Sequence, residues 1–395
     1  MNRQIFLQTQ WRSYPPALPS QDFIYGRVLE LDSRELKIRG PHGDCVVNQF
    51  SQTDLVDENM GATIALSYLE EGDVIAYQKS SCALFLLSPR LLPLSLQDPG
   101  REALWSDFVK KVENYFQSHD FLHLRTPFLV ASPGVDHHID FMKVSGVRTG
   151  RQWFLPTSPE IHLKKYLCRG YDQIFEIKSC FRDDLESPLH QPEFTMLEWY
   201  RTYVDLETIK TDLMSLLENL AGKSLKFRTF TLSQCFEKVL DFKLSPATSR
   251  EQLIALAQSA QIDFHESDDW NDLFFRIFME KIEPFLADKG LCFLEKFPPQ
   301  QASLSRIDKE GWSERFEFFA NGVELANAYH ELNDPFENKR RFQVEMDLRK
   351  SRKAELSGQD LGFFEELKNG MPPASGIALG LSRLYQCWPL LNSTT

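Results

Sequence analysis

The sequence predicts an α+β fold: a small β domain, then a larger domain of antiparallel strands flanked by helices. Two paired-strand patterns in the larger part carry that prediction, one at residues 173–201 and one around the turn Asn321–Gly322. The third observation is a change of period. Short alternating segments fill residues 1–97, and helical spacing takes over after Pro99.

In the first part, IYGRVLELDSRELKIRG (24–40) alternates and breaks at Gly40–Pro41. The stretch EEGDVIAYQKSSCALFLLSPRLLPL (70–94) then reads as a turn and two more strands running into a Leu-Pro linker. Beyond Pro99, Leu104, Trp105, Phe108, Val109, Val112, Tyr115 and Phe116 follow helical spacing. The segment FLHLRTPFLV (121–130) reads as a strand, and residues 205–310 are mostly helical in pattern.

Two strands joined by a polar loop are expected at Gln173–Arg182, where Phe175, Ile177 and Phe181 alternate with Glu176, Lys178 and Arg182, and at Glu193–Arg201. Side chains alternate along a strand, so Phe194, Met196, Glu198 and Tyr200 share one face. Arg182, the loop residue His190, an aromatic plate and a carboxylate can then surround one pocket. An arginine can clamp a phosphate, Phe194 can stack on a base, and Glu198 can hold an ammonium group. The Asn321–Gly322 pair is a strong hairpin signal. In a two-residue turn Phe319 faces Glu324, which puts Glu317 and Glu324 on one face. Two carboxylates there suit an oxygen-ligated magnesium ion bridging phosphates. Strict alternation would leave Asn327 on the opposite face from Glu324, so a bulge or a helical turn is expected between them. Gly376, Ala378 and Gly380 share a strand face, where small residues let a ligand approach the backbone.

Composition narrows the class. The 395 residues are 42% hydrophobic and 25% charged, an ordinary globular balance with room for one large and one smaller domain. The N-terminus lacks a signal-peptide pattern and no apolar run is long enough to span a membrane, so a cytoplasmic protein is expected. Seven scattered cysteines without a C-x-x-C argue against a disulfide framework or a zinc ribbon. A net charge of −12 and the lack of a basic run weigh slightly against nucleic acid, though a local basic patch stays possible. No G-x-x-x-x-G-K-[ST] is present, so phosphates are not held by a P-loop. Asp136, His137, His138 and Asp140 form a polar group without a further ligand cluster, and a metal site there is not expected.

At these motifs the chain resembles the class II aminoacyl-tRNA synthetases. The stretch FRDDLESPLHQPEFTMLEWYR (181–201) resembles motif 2 of their lysine-specific branch. Its FTMLEWYR is worded as in the paralogue family that lysylates elongation factor P. TSPEIHLKKYL (157–167) extends the likeness upstream, and ERFEFFANGVELANAYHELND (314–334) and GMPPASGIALGLSRL (370–384) extend it downstream. The resemblance implies a class II synthetase-like antiparallel sheet in residues 98–395, with a mainly helical insertion at about 205–310. It also implies an OB-like β-barrel domain in residues 1–97. The common form of the elongation-factor-modifying family lacks that domain.

By the same resemblance, ATP and Mg2+ are the cofactors. Arg182 would hold the α-phosphate and Arg383 would reach the γ-phosphate. His190 would sit near the terminal phosphate, Asp184 and Phe194 beside the adenine, and Glu317 and Glu324 on the metal. Glu160 would contact the substrate amino group. Glu198, Tyr200, Asn327 and Glu331 would bind a lysine ε-ammonium, with Ala378 on the pocket floor. Asp136 and His138 would lie at the pocket rim, and the helix after Pro99 with the strand carrying Pro127 would form a homodimer interface. The sequence departs from the pattern at Asp184 for glutamate, at Leu189 before the histidine, and at Ser382 for an acidic residue.

The expected activity is that of an AMP-forming, ATP-dependent ligase. Lysine or (R)-β-lysine would be activated as an acyl-adenylate and passed to a lysine side chain of elongation factor P. A lysyl-tRNA synthetase is the first alternative, favoured by the N-terminal domain. Ala378, where that synthetase has glycine, and QASL (301–304), where it has Ser-Pro-Leu, weigh against tRNA as acceptor. A non-catalytic paralogue that senses an amino acid is the second alternative.

Overall fold

Alternation in the first hundred residues is realised as a sheet. The structure, a computed structural model, describes residues 22–31, 35–40, 43–48, 56–57, 61–62, 69–88, 99–134, 139–183, 191–351 and 360–393. The chain divides into two units, Met1–Leu104 and Trp105–Thr395. In the first, β1 (Phe23–Leu31), β2 (Leu36–Gly40), β3 (Gly43–Val47), the two-residue strands β4 (Val56–Asp57) and β5 (Gly61–Ala62), β6 (Val74–Gln78) and β7 (Ala83–Ser88) follow in order. Five of them form one antiparallel sheet in the order β3-β2-β1-β6-β7. Val28, Leu36, Ile38, Ile75 and Leu84 bury its inner face. The central place of β1 is that of a five-stranded OB-like sheet. Among the described residues no pairing closes it into a barrel.

The second unit is built on an eight-stranded sheet in the order β13-β14-β15-β16-β17-β12-β11-β8. Its strands are β8 (Leu122–His123), β11 (Gln173–Phe181), β12 (Glu193–Thr202), β13 (Phe227–Thr231), β14 (Leu291–Phe297), β15 (Ser313–Ala320), β16 (Val323–His330) and β17 (Ala374–Gly380), while β9 (Lys143–Ser145) and β10 (Gln152–Phe154) pair apart from it. All neighbours in the large sheet run antiparallel except β13 with β14 and β8 with β11. The helices are α1 (Pro99–Ser118), α2 (Glu160–Cys168), α3 (Leu206–Ala221), α4 (Leu232–Leu240), α5 (Arg250–Ser259), α6 (Trp270–Ile277), α7 (Glu283–Ala287), α8 (Pro335–Ser351), α9 (Leu361–Lys368) and α10 (Leu381–Ser393).

The α+β class II synthetase-like sheet expected from the sequence is therefore present. One of its faces is a dry core. Phe116 of α1, Leu213 and Leu217 of α3 and Leu384 of α10 pack on Phe175, Leu197, Trp199, Phe318 and Leu379. Each such side chain contributes roughly 1.5–3 kcal/mol on burial. With that face fixed, the alternate residues of β12, β16 and β17 must point the other way, into the site.

One local expectation is corrected, and two hold with detail that the sequence did not give. Residues 121–130 do not form one strand: only Leu122–His123 pair with β11, in parallel. Beyond them Pro127 lacks a ladder donor, and side chains take over. Glu176 accepts from the backbone N–H and the hydroxyl of Thr126 at 2.7 and 2.8 Å, while Lys178 Nζ donates to the carbonyls of Thr126 and Pro127 at 2.8 and 2.7 Å. The polar residues of β11 are thus buried clamps rather than a solvated stripe. The insertion is mainly helical, as expected, and β13 and β14 leave it to extend the sheet.

The third point concerns the hairpin. Asn321 and Gly322 both take positive φ, 49° and 81°, as the two-residue turn requires. Phe319 faces Glu324, as expected from the turn, but Phe318 faces Ala326. Leu325 is the extra residue of a β-bulge, which brings Asn327 back to the face of Glu324.

Candidate active site

The outer face of β12, β16 and β17 and the start of α2 enclose a cavity of about 620 Å3. Arg182, Phe194, Glu198, Tyr200, Glu160, Glu324, Asn327, Glu331, Gly376, Ala378, Gly380 and Arg383 all line it. Register explains why residues so distant in sequence meet. Glu198 is paired across the sheet with Ala378, and Ala378 with Asn327. Asp184 and His190 lie outside the described residues, as do Asp136, His137 and His138.

One end of the cavity is cationic and aromatic. The Arg182 guanidinium lies 5.0 Å from the centre of the Phe194 ring, and its buried Nε has no hydrogen-bond partner among the described residues. An orphaned guanidinium nitrogen facing a cavity fits an anionic ligand. Arg383, in the first turn of α10, donates through Nη1 to the Glu324 carbonyl at 2.8 Å. Ser382, the residue before it, accepts from the backbone N–H of Thr195 at 2.8 Å and so ties the start of α10 to β12.

The metal expectation divides. Glu324 lines the cavity, whereas Glu317 stands behind it, held by Arg315, which also donates to Asn327 at 3.0 Å. Burial, and then the Glu324 carboxylate, push the Glu317 carboxyl up to about 8. Among the described residues no group of three His, Cys, Asp or Glu is arranged to hold a metal. Two mutually repelling carboxylates are a hard oxygen donor set. They fit an Mg2+ ion whose remaining ligands come from substrate phosphates and water.

The other end is a buried carboxylate cradle. Glu198 is fully buried and accepts from Ser158 Oγ at 2.6 Å and from the Tyr200 hydroxyl at 3.0 Å. Burial, with the nearby Glu160 charge, pushes its carboxyl up to about 8. Glu331 is pushed up to about 7 by burial, although Lys164 counters this. Carboxylates so raised gain from an incoming cation, which replaces the lost hydration. Gly376 makes the packing possible. A Cβ there would lie 2.2 Å from Tyr200 Cδ1 and 2.9 Å from Glu331 Oε1.

Sequence reasoning missed four members of this network: Ser158, Lys164, Arg315 and Tyr329. Ser158 sits inside the TSPE motif, and its hydroxyl also accepts from the Glu160 backbone N–H at 2.9 Å. Lys164 lies one helical turn after Glu160, Arg315 two residues before Glu317 on β15, and Tyr329 two residues after Asn327 on β16. Tyr329 shares the cavity wall and accepts from Asn327 Nδ2 at 3.1 Å. In each case spacing placed them on the right face, but nothing local named the contact.

Comparison with known proteins gives the family. Residues 103–393 match the tRNA synthetases class II (D, K and N). The chain belongs to that family. It is an ATP-dependent ligase of the family by the same comparison. It is 31% identical over 290 residues to the "Elongation factor P--(R)-beta-lysine ligase" of Hamiltonella defensa, covering 71% of this chain and 88% of that protein. The protein of the same name from Haemophilus influenzae is 32% identical over 290 residues, 70% of this chain and 87% of its own length. An "Elongation factor P--(R)-beta-lysine ligase homolog" of Aquifex aeolicus is 32% identical over 284 residues, 71% of this chain and 92% of its own.

Proposed function

We propose that the protein activates a lysine-type amino acid, (R)-β-lysine in preference to α-lysine, and transfers it to a lysine side chain of elongation factor P. One observation carries the reading. A cradle of carboxylates, the buried Glu198 and Glu331 with the half-buried Glu160, shares a single cavity with Arg182, Phe194 and Arg383. An ammonium at one end and a nucleotide phosphate at the other place the amino acid's carboxylate next to the α-phosphorus. The names of the relatives support the acceptor and the isomer.

The substrate carboxylate oxygen attacks the α-phosphorus, the bond to the bridging oxygen breaks, and pyrophosphate leaves. Arg182 stabilises charge on the α-phosphate and Arg383 on the departing phosphates. Glu324, with Glu317 behind it, would hold the Mg2+ that neutralises phosphate charge. Glu198, Tyr200, Asn327 and Glu331 hold the side-chain ammonium, and Glu160 the second amine. The acceptor amine then attacks the acyl carbon and AMP departs. Orientation and charge neutralisation supply the rate, and no covalent enzyme intermediate is needed.

In this reading residues 98–395 form the catalytic domain and residues 1–97 a separate OB-like domain. The family match begins at residue 103, after most of that domain. Leu122, Phe128 and Leu129 expose apolar surface beside the motif carrying Pro127, which supports a homodimer there. No described helix is long and apolar enough to cross a membrane, and a cytoplasmic site of action follows from the acceptor.

The OB-like strand order favours one alternative, a lysyl-tRNA synthetase. ATP and labelled amino acid offered in parallel to elongation factor P and to lysine tRNA separate the two. Label on elongation factor P alone supports the proposal, and label on tRNA alone overturns it.

A further inference from the structure

Among the described residues Lys164 is the one cation inside the carboxylate cradle, and the reaction as described does not use it. It is 1% exposed, and its Nζ lies 2.5 Å from Glu160 Oε1 and 2.6 Å from Glu331 Oε2. Burial works against its charge, but the two carboxylates outweigh that and hold its pKa above the ordinary lysine value. The groups around it are Glu160 on α2, Glu198 and Tyr200 on β12, and Glu331 just after β16. The β17 residues facing them, Gly376 and Ala378, carry no charge.

We infer that Lys164 is a positioning residue that sets the cradle's charge, holding Glu160 and Glu331 side by side and ionised for a substrate with two ammonium groups. The count is direct. In the loaded site, where the substrate cations favour the ionised forms, three carboxylates less one lysine leave two negative charges, which match two substrate ammonium groups. Without Lys164 the buried Glu331 loses the cation that sits between it and Glu160, and it must take up a proton to stay. That proton removes a charge the substrate needs. Glu331 meets Nζ through Oε2, while its Oε1 lies towards Gly376 at the cavity wall. Glu331 therefore keeps its capacity to accept from a second ammonium.

This inference rests on the proposed amino-acid site, but its test does not need turnover. Thermal unfolding of the ligand-free full chain is measured from pH 6 to pH 9 for the wild type, Lys164→Met and Lys164→Met/Glu331→Gln. In Lys164→Met the Glu331 carboxyl, which Lys164 holds down, rises further above its unfolded value. A raised carboxyl contributes stability at low pH that is lost as pH climbs to its folded pKa. The deficit of Lys164→Met should therefore widen with pH, by about 5–10 °C at pH 9 relative to pH 6. The double variant, lacking the second charge, should abolish that widening. If the single variant does not fold, recovery of folding in the double variant gives the same answer. A deficit that is constant across pH, or a double variant no better than the single, overturns the inference. In pyrophosphate exchange, Lys164→Met should raise KM for the amino acid about tenfold or more while KM for ATP stays within about twofold, and Lys164→Arg should recover part of the loss. Absence of exchange in the wild type with either lysine isomer would overturn the proposed function, and the unfolding test would still decide the role of Lys164.

Discussion

Replacing Glu198 by glutamine should separate substrate affinity from stability in opposite directions. Glu198 is fully buried and its carboxyl is pushed from an ordinary 4.5 up to about 8, chiefly by burial. A pH unit is worth about 1.4 kcal/mol, so holding this group ionised in the empty pocket costs on the order of 3–5 kcal/mol. The folded value lies above the unfolded one. Its stabilising effect is therefore present at low pH, in the protonated form, and lost as pH rises from about 4.5 to about 8. Glutamine is neutral at every pH and removes that loss. One hydroxyl, that of Ser158 or of Tyr200, must turn to accept from the new amide, at about 1 kcal/mol. The variant should be slightly less stable than the wild type at pH 4, below the unfolded value, and more stable at pH 9. Binding moves the other way. A buried ammonium loses its charged partner, so lysine affinity should fall by about 2–5 kcal/mol, with KM for ATP nearly unchanged. Melting curves at the two pH values and pyrophosphate exchange with either substrate varied provide the assay. Equal losses for ATP and amino acid, or a stability difference that does not change with pH, would refute the reasoning.

Arg383→Ala should abolish exchange while leaving the melting temperature within a few degrees, since a phosphate-site arginine adds little to the core; surviving exchange would remove Arg383 from the phosphate site. Ala378→Gly should shift preference from (R)-β-lysine towards α-lysine by about 10–200-fold in kcat/KM, the worth of one methyl in a pocket. A wild-type preference for α-lysine that the substitution leaves unchanged would favour the tRNA synthetase alternative. Gly376→Ala should destabilise by about 1–3 kcal/mol, because its Cβ would fall 2.2 Å from the Tyr200 ring. It should also raise KM for the amino acid more than for ATP, and an unchanged melting temperature with normal kinetics would contradict the packing described.

What could be read from the sequence was what depends on near neighbours. Alternation along Glu193–Arg201 put Phe194, Glu198 and Tyr200 on one face, and the Asn321–Gly322 turn set Phe319 opposite Glu324; both hold in the fold. A period of two and a two-residue turn are short-range properties, so one strand or hairpin contains all the information. The bulge was demanded by Asn327, but its position at Leu325 is settled by packing. Leu325 and Ala326 both bury into the core beneath the sheet, and the extra residue makes that possible.

Other features were decided only in three dimensions. Glu176 and Lys178 read as the polar half of an alternating strand, yet they are buried, because the chain some fifty positions earlier lies over them and supplies the Thr126 and Pro127 partners. The insertion read as mostly helical and is so, but its strands β13 and β14 join the sheet, since the edge of β15 offered hydrogen bonds that no local pattern announces. Lys164 has the appearance of a helix-surface lysine in the sequence. Only the approach of Glu331, from the far end of another strand, turns it into a buried charge between two carboxylates. The residue types and their faces were thus determined by the sequence itself, because they follow from backbone geometry. Which charges share a dry space, and so which way each ionises, was decided by the tertiary structure, because desolvation and Coulomb energy depend on distances the chain acquires only when folded.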